Sequence, residues 1–95
     1  MYKKAVDIYF DMSVKDILVD FLLSSGHDDF YFFVCSKYSA ASFLASVKEQ
    51  VTGRKEYGLF RLFLEEKEAI LLSEKIKIEL NENSIRIFKY EISEI

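Results

Sequence analysis

The spacing of apolar residues changes period in a fixed order along this chain, and that order constrains the fold more than any other feature. Between residues 5 and 12, Val6, Ile8, Phe10 and Met12 alternate with Ala5, Asp7, Tyr9 and Asp11. A period of two is what a β-strand imposes on its two faces. The spacing then turns helical: Val14, Ile17, Leu18, Phe21 and Leu22 fall at i, i+3, i+4, i+7 and i+8, one face of an α-helix. Ser13 is placed to cap that helix, with Asp16 three residues on completing a capping-box-like start. Gly26 suits the left-handed position that ends it. A second strand is predicted over 30–37, rich in aromatics with the β-branched Val34, and a third over 56–64. Residues 65–80 read as a second helix. Its acidic first turn (Glu65, Glu66, Glu68) suits the positive end of the helix dipole; Ala69, Leu72, Ile76 and Leu80 form its apolar stripe, and Asn81 can cap its end. A last strand covers 84–92.

Strand, helix, strand, strand, helix, strand is the order of a ferredoxin-like α+β sandwich, an antiparallel sheet with both helices on one face. At 95 residues the chain fits a single domain over 1–95 and leaves little room for a second core. It has no proline and three glycines, so no linker stands out.

Several function classes are disfavoured at once. The net charge of −3, interspersed rather than clustered, argues against general nucleic-acid or anionic-membrane binding, both of which draw on clustered Lys and Arg. No stretch reaches the roughly 20 apolar residues that cross a bilayer. Asp7 and Asp11 interrupt any signal-peptide core after Lys3 and Lys4, which makes the cytoplasm the expected address. The one cysteine, Cys35, allows neither an internal disulfide nor a cysteine-based zinc site, and a small apolar packing role suits it.

A sheet covered by helices on one side is expected to be polar on the other. Here two strands are apolar on both faces. Phe30, Phe32 and Val34 oppose Tyr31, Phe33 and Cys35; Ile85 and Ile87 oppose Phe88, Tyr90 and Ile92. The simplest cover for the second face is another copy of the chain, so an oligomer is expected; partial exposure of Tyr and Phe is the plainer alternative.

About twenty residues join the second and third strands, where a hairpin needs two to five. Long connections in compact domains are usually functional or mobile. This one ends in Gln50-Val51-Thr52-Gly53-Arg54-Lys55. Gly53 can turn backbone amides toward a ligand, while Thr52, Arg54 and Lys55 add a hydroxyl and two cations, together a candidate anion site. The spaced glycines of a P-loop are missing, and a turn glycine flanked by solvated charges gives the same pattern. The stretch from Phe43 to Val51 is amphipathic, enough for a short helix.

His27 and Asp28, with Asp29, are the best metal candidates. Imidazole and carboxylate suit zinc, nickel or copper, although three adjacent residues need ligands from elsewhere to enclose an ion, and a solvated loop is the alternative. His27 and Cys35 lack a third group to act as nucleophile and base. The many helix glutamates pair readily with Lys67, Lys75 and Lys77. No catalytic constellation is visible, and the chain is read as non-enzymatic.

Three segments carry a family likeness: Lys15-Asp16-Ile17-Leu18-Val19-Asp20-Phe21-Leu22-Leu23, Ser46-Val47-Lys48-Glu49-Gln50-Val51-Thr52-Gly53-Arg54 and Tyr57-Gly58-Leu59-Phe60-Arg61-Leu62. Through them the chain resembles the PII-like proteins, and more narrowly a small PII-like family found beside heavy-metal efflux genes. The Gln-Val-Thr-Gly-Arg phrase is the most specific of these matches. The resemblance implies a homotrimer with sheets packed toward the centre, and a ligand or partner contacted by the connection between the second and third strands. It also departs from PII proper: Tyr38 opens the connection, but no matching loop motif surrounds it, so ATP binding and uridylylation do not carry over.

The reading that follows is a regulatory or sensor protein, linked through the resemblance to metal homeostasis. It would bind a small ligand or metal between subunits and have a metal-efflux transporter as a possible partner; no particular cofactor is implied. The alternative is a ligand-free interaction module that uses its aromatic sheet face. Single-stranded RNA binding through Tyr9, Phe33, Phe60 and Tyr90 is a further use of such a face, against which the acidic balance weighs.

Overall fold

A computed structural model of the chain describes residues 3–38, 55–81 and 83–95. The proposed short helix between 43 and 51 lies outside the described residues, as do Thr52, Gly53 and Arg54. The elements are β1 (Lys4–Asp11), a 3₁₀ turn (Met12–Val14), α1 (Lys15–Ser24), β2 (Tyr31–Lys37), β3 (Lys55–Leu64), α2 (Glu66–Glu79) and β4 (Arg86–Glu91). The strands form one sheet in the order β2-β3-β1-β4, and every neighbouring pair is antiparallel. β1 and β2 therefore run parallel with β3 between them, joined over the sheet by α1; β3 and β4 do the same around β1 by way of α2. This is the ferredoxin-like arrangement.

Alternation along β1 sends Val6, Ile8 and Phe10 to the helix side, where all three are buried. They pack with Phe60, Leu62 and Leu64 of β3 against Val14, Leu18, Phe21 and Leu22 from the α1 region and Ala69, Leu72 and Ile76 of α2. One apolar cluster thus joins both helices to a single face of the sheet. The stripe of α1 is narrower than its spacing predicts, since Ile17 is 57% exposed.

The start of α1 also differs from expectation. Asp11, not Ser13, provides the cap: its Oδ1 accepts the Ser13 amide at 3.0 Å, and the 3₁₀ turn it initiates delivers the chain into α1. The far end is as the sequence indicates. Gly26 has φ +89°, its amide donates to the Leu23 carbonyl, and the His27 amide donates to the Leu22 carbonyl at 2.9 Å. This paired pattern is a Schellman motif. Asn81 closes α2 with φ +46°.

Gly58 answers to a different constraint. It lies between Phe10 and Val34 in register, and the Phe10 ring occupies the space above its Cα.

Candidate functional site

The same alternation that buries Val6, Ile8 and Phe10 turns Asp7 and Tyr9 to the opposite, outer face. Register places Arg61 of β3 and Phe88 of β4 on either side of Asp7, with Tyr31 of β2 beyond Arg61. The result is a polar cluster at the middle of an aromatic surface. Arg61 Nε donates to Asp7 Oδ1 at 2.8 Å and Nη2 to Oδ2 at 3.0 Å, the bidentate geometry that a guanidinium and a carboxylate favour. Tyr90 Oη donates to Oδ2 at 3.1 Å. Asp7 is 5% exposed and is the buried charged residue among those described.

This cluster is electrostatically consistent. The Asp7 hydrogen bonds hold the Arg61 pKa above its ordinary value. Burial raises the Tyr90 pKa, and the hydrogen bond to Asp7 adds to that shift, so the phenol stays protonated and donates. Around the cluster the face is open: Phe33 is 44% and Tyr90 43% exposed, with Tyr31 and Phe88 similar. The Arg61 guanidinium lies 5.3 Å from the Phe33 ring centroid, and Tyr9 and Phe88 meet edge to face at 5.8 Å. Aromatic residues and arginine are the types enriched in macromolecular contacts, and this face presents both.

Toward the β2 end that leads into the connection, this outer face dips into a groove of about 510 Å³, bordered by Tyr9, Ser36, Lys37, Tyr57 and Arg86. Lys37 Nζ sits 5.0 Å from the Tyr57 ring centroid, and the Arg86 guanidinium 5.4 Å from that of Phe88. Of the anion-site candidates in the connection, Lys55 is described; it opens β3 beside the 3₁₀ turn, its Nζ 3.1 Å from Asp11 Oδ2.

The metal candidates lie elsewhere. His27 and Asp28 follow the Schellman turn and border a cleft of about 620 Å³ with Asp29, Tyr31, Phe63, Glu68, Ile92 and Glu94. Among the described residues no three His, Cys, Asp or Glu side chains converge to hold an ion. Cys35 is half-buried on the outer face. Among the described residues no helix is long and apolar enough to cross a membrane.

Comparison with solved structures gives a match to CPII, a nitrogen regulatory PII-like protein from Thiomonas intermedia K12 whose structure holds ADP, AMP and bicarbonate. The TM-score is 0.71 at 15% identity, over 97% of this chain and 91% of that one. The chain has the PII-like fold. No family model matches the sequence, and no curated protein matches it. At this identity the PII-like likeness speaks for architecture, and the side chains must be read on their own terms.

Two features of this chain were not singled out by sequence reasoning. The Asp7–Arg61–Tyr90 cluster has a faint signal: Asp7 and Arg61 each interrupt the apolar middle of a strand. The joining of Lys37 and Arg86 at one groove has none, because their strands are opposite edges of the sheet and only the topology brings them to the same end.

Proposed function

We propose that this chain is a regulatory ligand sensor that works as a homotrimer, with the aromatic sheet faces turned toward one another and a small anionic ligand bound where subunits meet. The shared fold with CPII, over nearly the whole chain, carries the reading. ADP, AMP and bicarbonate, the molecules held in that structure, are all anions, and the outer groove here has Lys37 and Arg86 at its border. Thr52, Gly53, Arg54 and Lys55 lead from the connection into β3 and would complete the site, so that occupancy is reported through residues 36–55 to a partner protein. The chain acts as a single domain without catalysis, in the cytoplasm.

The metal branch of this proposal uses His27 and Asp28 and needs a third ligand from a neighbouring subunit. A role in metal efflux, with a transporter as partner, rests on the sequence resemblance alone. A second reading, a ligand-free interaction module, is favoured by the exposure of Tyr31, Phe33, Phe88 and Tyr90.

Native mass spectrometry of the purified protein tests both, with and without ADP, AMP, ATP, bicarbonate, Zn²⁺, Cu⁺ and Ni²⁺. A trimer that gains a stoichiometric anion adduct, weakened in Lys37→Ala and Arg86→Ala variants, is the expected result. A metal adduct lost in His27→Ala would move the ligand assignment to the metal branch. A monomer that takes up nothing would sink the sensor reading and leave the interaction module.

A further inference from the structure

Two clefts meet at the turn that ends α1, where Gly26, His27 and Glu68 border both. One is the cleft of His27 and Asp28 described above. The other, of about 600 Å³, runs between that turn and the outer side of α2. Leu71 and Ile78 line it, 59% and 78% exposed. They are seven residues apart, two turns along one side of the helix. Ala69, Leu72 and Ile76 already join α2 to the core, so this second apolar pair is surplus to folding.

Charge in the same place is one-sided. Asp28, Asp29, Glu68, Glu74 and Glu94 border the two clefts, with Lys75 the one lysine or arginine among the bordering residues. None of these carboxylates joins an ion pair within the described residues; the pairs there lie along the sheet and at the start of α2. This charge decides what can cover the apolar pair. A second copy of the chain would bring the same carboxylates with it, and a phosphate-rich surface would be repelled. A helix with an apolar stripe flanked by Lys or Arg satisfies both the surplus apolar pair and the unpaired acids. Apolar side chains one heptad apart are the spacing by which one helix lies along another, and an amphipathic helix laid in such a groove is a recurrent mode of recognition.

We propose that this groove is a docking site for a basic amphipathic helix of a partner protein. The partner's apolar stripe seats on Leu71 and Ile78, and its cations face Glu68, Glu74 and the Asp28–Asp29 pair. The apolar contacts supply the affinity, while the carboxylates select the sign of the partner and steer its approach. Leu71 and Ile78 lie on the helix side of the sheet, so the site does not depend on the subunit contacts proposed above, which use the opposite face. Its charge is also opposite to that of the groove at Lys37 and Arg86.

The test titrates the full chain with a fluorescently labelled Leu/Lys peptide of about four helical turns, its leucines in one stripe, and follows anisotropy at low and raised salt. A scrambled peptide of the same composition and a Leu/Glu peptide with the same stripe are the controls. The expected result is saturable one-to-one binding of the Leu/Lys peptide alone. Leu71→Gln/Ile78→Gln should weaken it at least about tenfold, the scale of losing two buried apolar contacts. Glu68→Gln/Glu74→Gln should weaken it with a shallower salt dependence. Glutamine suits an exposed helix position, and urea unfolding checks that both variants fold. Equal uptake of the scrambled peptide, or wild-type affinity in the Leu71/Ile78 variant, overturns the proposal, because net charge alone then accounts for binding. So does failure of the Leu/Lys peptide to bind. Native mass spectrometry of the same samples reads the assembly separately: a monomer that binds the peptide as described supports this inference and overturns the trimer.

Discussion

A methyl group added to Gly58 would lie 2.5 Å from Cζ of Phe10 and 2.6 Å from Cε2. Real Cβ atoms do not approach side chains so closely, and Phe10 has no room to yield, being wholly buried in the main cluster. Gly58→Ala is therefore expected to destabilise by about 1–3 kcal/mol, the usual cost of overpacking a filled core. Alanine would otherwise be the better strand residue, so the sign of the effect is diagnostic. Denaturant unfolding checks it. Pairing Gly58→Ala with Phe10→Leu should recover part of the loss, and a double-mutant cycle in which the two changes simply add would disprove the contact as the cause.

Removing one partner of the Asp7–Arg61 pair should cost more than either residue's packing suggests. Arg61→Ala leaves Asp7, 5% exposed, with the Tyr90 hydroxyl as its remaining side-chain donor. Breaking a buried pair costs about 3–5 kcal/mol. Arg61 is one-third exposed, so a figure of about 2–3 kcal/mol is expected after allowing for solvent screening. The same variant with Asp7→Leu added should be more stable than Arg61→Ala alone, as measured by the urea midpoint. If the double variant is the less stable of the two, the uncompensated charge is not the source of the cost.

How much of this was legible beforehand follows from what alternation can encode. The faces of β1 were readable from Val6, Ile8 and Phe10 alone, and the element order was sufficient for the ferredoxin-like sandwich. Pairing across strands was not readable, because alternation fixes which face a side chain takes and says nothing about register. Asp7 could be placed outward, but Arg61 could not be placed opposite it. Phe60, grouped with Tyr9, Phe33 and Tyr90 as a sheet aromatic open to bases, is instead 1% exposed, in the core on the helix side. The Ser13 assignment failed for a local reason. Asp11 and Ser13 are both good caps two residues apart, and Asp11 captured the Ser13 amide by starting a 3₁₀ turn ahead of α1. Ile17 obeyed the helical spacing yet lies outside the core, since the contact stripe of α1 is narrower than the apolar stripe of its sequence.

Acid should erode stability through Asp11 and Glu66. The amide of Ser13, and secondarily Lys55, lower the Asp11 pKa, and Lys89 followed by Lys4 lowers that of Glu66. A carboxylate whose pKa is depressed by folding contributes stability that is full above its unfolded value, about 4, and is lost as pH falls through the folded one. Wild-type stability should thus be flat near neutrality and decline below about pH 4. Asp11→Asn keeps an oxygen to accept the Ser13 amide but cannot titrate. Its urea midpoint should change less than that of the wild type over the acid range, and a parallel decline in both proteins would remove Asp11 from the account.

Alkali acts on the other face, through Tyr90. Burial, and then the hydrogen bond to Asp7, raise its pKa above the ordinary tyrosine value. A group whose pKa is raised on folding contributes stability that is full below its unfolded value, about 10, and is lost as pH rises through the folded one. The phenolate that forms would also sit beside the Asp7 carboxylate in place of a donor, so Asp7 would lose the Tyr90 hydrogen bond and gain a like charge. Of the six tyrosines in the chain, Tyr90 should be among the last to ionise in an ultraviolet titration of the folded protein, and Tyr90→Phe should remove that late phase. The Phe variant should also have a shallower loss of stability above about pH 10. Should the late phase persist in Tyr90→Phe, another tyrosine is the shifted one and the hydroxyl is not held by Asp7 as described.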